Sequence, residues 1–165
     1  MPAVSNSSPL IYLSALQDLD LLHDLLGAIA IPSAVYREVV VDGKGHPGAS
    51  EVEQAVGDWI TIVEVEDRAQ VTRLLSVLSL HAGECEAIIL AGQLHLGIVV
   101  MDDRQGVREA DARGLSAVRT PALYLAAKRA GIIQQVKPKL DALKASGFRL
   151  RDEPYRVILQ RAGEL

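Results

Sequence analysis

Apolar and polar positions alternate in blocks along the chain. Short apolar runs of three to six residues recur, each followed by a longer stretch with helical spacing. The segment "PAVSN" (2–6) predicts a strand, and "SSPLIYLSAL" (7–16) a helix with Ser7 or Ser8 at its N-cap and Pro9 near its first turn. "LDLLHDLLG" (19–27) places leucines at helical spacing and ends at Gly27, a C-cap. "AIAIP" (28–32) is a second buried strand, and "SAVYREVVVDG" (33–43) a helix beginning at Ser33. "GKGHPGAS" (43–50) is a loop, and "SEVEQAVG" (50–57) a helix. "WITIVEV" (59–65) is a third strand. Helices over 67–78 and 82–95 lead to a fourth strand, "LGIVVM" (96–101). A helix over 103–114 ends at Gly114, and "LSAV" (115–118) is a fifth short strand. The remainder is helical: "TPALYLAAKRAG" (120–131), with Thr120 as N-cap, then "KPKLDALKASG" (137–147) and "EPYRVILQRAGEL" (153–165).

Short apolar strands alternating with helices imply a parallel sheet covered on both faces, a three-layer α/β sandwich of about five strands. The 165 residues suit one domain, with the helices of about 137–165 packed onto it. No repeat or linker interrupts it. Sites in such sheets form beyond the carboxyl ends of the strands, where strand order reverses. No glycine-rich dinucleotide fingerprint and no phosphate loop follows any strand, which disfavours dehydrogenase and NTPase readings.

The polar residues at the strand ends change the picture. Asn6 follows the first strand, Glu38 lies in the helix after the second, and Glu84 and Glu86 open the helix before the fourth. Asp102 and Asp103 follow the fourth. One amide and several carboxylates thus gather at a single rim. Packed acids raise one another's pKa, and a divalent cation relieves that cost. Hard oxygen ligands on an open rim suit Mg²⁺ or Mn²⁺. Each residue also has a structural role to weigh: Asn6 as a helix-capping amide, Glu38 as a surface residue, Glu84 as a first-turn acid favoured by the helix dipole, and one of Asp102 and Asp103 as the next cap. Two adjacent acids exceed what one cap needs. His23, His46, His81 and His95 do not fall at zinc spacing and read as ordinary. Cys85 reads as a small core residue.

Charge is asymmetric. Residues 1–100 hold four Lys/Arg against thirteen Asp/Glu, whereas residues 101–165 hold thirteen against eight. A partner of opposite sign is one reading of that division. Arg104, Arg108 and Arg113 lie on the helix leaving the rim, and with Lys128 and Arg129 they offer a grip on backbone phosphates. Their alternative is pairing with Glu109 and Asp111. No run is long enough to span a bilayer, the start lacks a signal-peptide pattern, and one cysteine forms no internal disulfide. These features predict a cytoplasmic protein with no membrane association.

The segments "VSNSSPLIYLSAL", "IPSAVYREV", "LHAGECEAIILA", "VVMDDRQGVREADARGL" and "LAAKRAGIIQQVKPKLDALKASGF", in this order, resemble PIN-domain proteins, specifically predicted nucleases near the VapC toxins of toxin–antitoxin pairs. The resemblance runs from Val4 to about Phe148. It implies a parallel α/β sandwich that binds Mg²⁺ or Mn²⁺ through clustered acids and cleaves RNA. It implies catalytic positions at Asn6, Glu38, Glu86 and Asp103, with Glu38, Glu86, Asp102 and Asp103 as metal ligands. It further implies a homodimer and a small antitoxin partner. Asn6 replaces the aspartate that the family usually carries there, and "VRTPALYLAAK" departs from the family's Gly-Thr segment. A PIN-fold module that binds RNA or a partner without cleaving is the alternative.

Overall fold

The computed structural model describes residues 2–165. Five strands, β1 (Ala3–Ser5), β2 (Ile29–Pro32), β3 (Ile60–Val63), β4 (Ile98–Val100) and β5 (Ser116–Val118), form one sheet in the order β3-β2-β1-β4-β5. All four strand pairings are parallel. Strand order reverses at β1, which pairs β2 on one side and β4 on the other. The carboxyl ends of β1 and β4 therefore flank the switch point.

Period-two alternation divides the core into two layers. Ala3, Ile29, Ile31 and Val100 face one side, with Leu10, Leu22, Tyr124 and Leu140. Val4, Ala30 and Val99 face the other, with Val71, Ile88, Leu90 and Ala110. Helices α1 (Ser7–Ala15), α2 (Asp20–Leu26), α3 (Ser33–Tyr36) and α4 (Ala49–Ala55) share the first layer with α8 (Thr120–Arg129), α9 (Lys137–Ala145) and α10 (Asp152–Arg161). Helices α5 (Arg68–Val77), α6 (Ala82–Gln93) and α7 (Arg104–Ala112) fill the second. The result is the three-layer parallel α/β sandwich that the alternation predicts.

Three local departures bear on the site. The helix predicted over 33–43 is α-helical only to Tyr36, and Arg37–Val41 is a π-helical turn. Val39 and Val40 in this turn are both buried in the core. Asn6, not Ser7 or Ser8, holds the N-cap position of α1, and it makes no side-chain capping bond. Thr120 is the first residue of α8 rather than its cap, because its hydroxyl is committed elsewhere.

The C-terminal helices are tied down by one carboxylate. Glu164 accepts hydrogen bonds from the Val136 and Lys137 backbone N–H groups and from Lys128 Nζ. It caps α9 from a distance of about thirty residues in sequence.

Candidate active site

Beyond the carboxyl end of β1 lies a cavity of ≈ 340 Å³ lined by Asn6, Ser7, Ser8, Ile11, Tyr12, Glu38, His81 and Glu84. Asn6 leaves β1 directly, and its backbone N–H donates to Val100 O at 3.1 Å, tying it to β4. Its side chain is buried, and Oδ1 accepts no hydrogen bond among the described residues. A buried amide oxygen without a donor costs stability unless a ligand completes it. The capping role for Asn6 is thereby excluded.

Two carboxylates of the cavity, Glu38 and Glu84, and that of Asp103, which lies near Glu84 but outside the cavity lining, are each half-committed. Glu38 Oε2 accepts from Ser7 Oγ at 2.8 Å. Glu84 Oε2 accepts from the His81 backbone N–H at 2.6 Å, forming a capping box on α6. Asp103 Oδ1 caps α7 by accepting from the Gly106 N–H at 2.9 Å. The second oxygen of each carries no protein hydrogen bond among the described residues. Burial raises the Glu84 pKa above the usual carboxylate range, and the Asp103 and Glu38 charges add to the rise. Close packing of α6 on α3 helps to hold this geometry. A Cβ on Gly83 would lie 3.3 Å from Glu38 Oε2.

Two expected ligands have other work. Asp102 is buried, and both its oxygens are filled: Oδ1 by the Thr120 N–H (2.8 Å), Oδ2 by Thr120 Oγ (2.7 Å) and Ser8 Oγ (3.0 Å). Burial pushes its pKa up against these three donors. It joins β4, α1 and α8 instead of facing a ligand. Glu86 is not at the cavity. Its Oε1 accepts from the Ala34 N–H at 3.4 Å and its Oε2 from Arg68 at 3.3 Å. Positions 84 and 86 are roughly 200° apart around a helix, so they cannot share a face. Glu84 takes the place that sequence order suggests for Glu86. His81, read from sequence as ordinary, lines the cavity.

The expected phosphate grip also divides. Arg104 and Arg108 are exposed on α7 and carry no ion pair among the described residues. Arg129 is likewise exposed, in the last turn of α8. Arg113 instead pairs with Glu109 at 2.8 Å and contacts Gln70, and Lys128 pairs with Glu164. Arg119, which sequence reasoning passed over, donates through Nη2 to the Asp102 backbone oxygen at 2.8 Å. Its position directly after β5, beside a predicted site strand, is the signal that singles it out. Cys85 is buried and its thiol is pushed up to about 11 by burial and neighbouring carboxylates, as a core residue's would be.

Apart from the His81 imidazole, the donors at the cavity are oxygens, with an orphaned amide among them, and that chemistry fits a hard divalent cation. Among the described residues no three acidic, cysteine or histidine side chains converge into a ready chelate. The cavity is a set of donors around a space.

Among the described residues no helix is long and apolar enough to cross a membrane. The family model of the PIN domain matches residues 2–164. No curated protein matches the chain.

Proposed function

The chain belongs to the PIN-domain family, whose activity is of the nuclease type, and from that premise we propose that it is a metal-dependent endoribonuclease using Mg²⁺ or Mn²⁺. The observation that carries the proposal is the unpartnered, buried Oδ1 of Asn6 in a cavity shared with Glu38 and Glu84. Asn6, Glu38, Glu84 and Asp103 would hold the cation.

A cation bound there lowers the pKa of an attacking water and offsets charge on the phosphate. The chain's own residues prepare the space for it. The Ser7 hydroxyl fixes one oxygen of Glu38 and leaves the other without a hydrogen bond among the described residues. The capping bonds of Glu84 and Asp103 restrict their rotamers. Ile11 and Tyr12, half-buried, supply the apolar part of the cavity wall. Asn6 brings an oxygen without a charge, so the site carries one negative charge fewer than an aspartate would give.

That neutral amide also favours a second reading, a PIN-fold module that binds RNA or a partner without cleaving it. The role of toxin in a VapC-like toxin–antitoxin pair, as a homodimer with a small antitoxin and in the cytoplasm, rests on the sequence resemblance.

The test is cleavage of single-stranded RNA with Mg²⁺ or Mn²⁺. Cleavage that EDTA stops and Glu38→Gln abolishes supports the enzyme. Intact RNA bound by the wild-type protein supports the binding module. Cleavage indifferent to Glu38→Gln contradicts this site.

A further inference from the structure

A cavity walled by carboxylates repels the phosphates of the strand it is to receive, so the approach needs fixed positive charge nearby. Five of the seventeen lysines and arginines are spent in ion pairs. Arg68 is held by Glu86, Arg113 by Glu109, Lys128 by Glu164, Lys137 by Asp141 and Lys139 by Asp18. Arg119 differs in kind. Its one hydrogen bond goes to a neutral acceptor, the Asp102 backbone oxygen, at 2.8 Å, and the residue is exposed. Among the described residues the guanidinium forms no ion pair and its remaining N–H donors are free.

Its place is fixed by the same contacts that build the rim. Arg119 precedes Thr120, which clasps Asp102, and the other partner of Asp102 is Ser8, which lines the cavity. Asp102 therefore separates Arg119 from the cavity wall, on the β5 side. Asp103, with one oxygen free, follows directly in the chain.

Resting on the nuclease reading, we propose that Arg119 grips a phosphodiester of the bound RNA strand beside the carboxylate cavity and so sets the side on which the strand leaves it. A planar guanidinium matches phosphate oxygens two at a time. Anchoring by Asp102 O means that less side-chain freedom is lost on binding. The contact is to backbone and reads no base. Arg104 and Arg108, exposed on the adjoining α7, extend the same positive flank.

The experiment is fluorescence anisotropy of a labelled single-stranded RNA, titrated across salt concentrations. Ca²⁺ replaces the activating ion, and the RNA is checked on a gel for integrity. Arg119→Ala weakens binding by about tenfold and lowers the salt slope by about 0.7, the value for one lost phosphate contact on a single strand. Arg119→Gln, which can still donate to Asp102 O, behaves as Arg119→Ala if charge is what matters. Lys137→Ala, an equal change of charge on α9, leaves binding unchanged. Should Arg119→Gln bind with wild-type affinity and slope, Arg119 only ties down β4 and the proposal is overturned, while the nuclease reading stands. A wild-type protein that binds no RNA overturns both.

Discussion

Thr120 donates both its backbone N–H and its hydroxyl to the Asp102 carboxylate, at 2.8 and 2.7 Å, locking the start of α8 to the end of β4. With Ser8 donating to the same group, one buried acid joins three elements around the cavity. Asp102→Ala strands the Thr120 N–H and hydroxyl in a buried place. It destabilises the protein by about 3 kcal/mol, measured by denaturant unfolding. A loss below about 1 kcal/mol would show that water satisfies these groups instead.

Asp102 also separates what sequence shows from what it hides. The strands, their order in the chain and the acids beyond their ends are legible because period-two burial and helix punctuation are local. Which acid faces the cavity is not local. In "GECEA" two glutamates sit two residues apart, and only the rotation of α6 against α3 decides between them. Of "MDD", the first aspartate is absorbed by Thr120, a residue far along the chain. Arg113 is nine residues from Arg104, close to half a turn around the helix, so it could not share that face. The Lys128 partner, Glu164, lies near the other end of the folded chain and left no local trace.

Glu84 and Glu86 give a direct contrast. Calorimetric titration with Mn²⁺ is expected to weaken sharply in Glu84→Gln and to remain near wild type in Glu86→Gln, whose carboxylate is held by Arg68 and Ala34. The opposite ranking would return the ligand role to Glu86.

Gly43 lies just past the π-helical turn that carries Glu38. A Cβ there would stand 2.3 Å from the Val39 carbonyl oxygen, a backbone atom that cannot swing aside. Gly43→Ala is expected to destabilise the fold by about 2 kcal/mol, read from the denaturant midpoint. An unchanged midpoint would mean that the turn relaxes freely.

Glu164 links stability to pH. Burial opposes its charge, yet the Lys128 ammonium and the Val136 and Lys137 N–H groups overcome that and hold its pKa at about 2. A carboxyl depressed on folding stabilises the native state above its unfolded pKa, and that contribution is lost as pH falls toward 2. Unfolding followed from pH 6 to about pH 2 is expected to show this loss in the wild type and a shallower one in Glu164→Gln. Equal slopes in the two proteins would contradict the clamp.

The central claim is that a cation completes Asn6, Glu38, Glu84 and Asp103. Calorimetric titration of Mn²⁺ into wild type, Asn6→Asp and Glu38→Gln tests it most directly. Binding is expected in the wild type, with tightening of about tenfold when Asn6→Asp restores a charge and loss in Glu38→Gln. No binding at millimolar Mn²⁺, or binding that neither substitution alters, would contradict it.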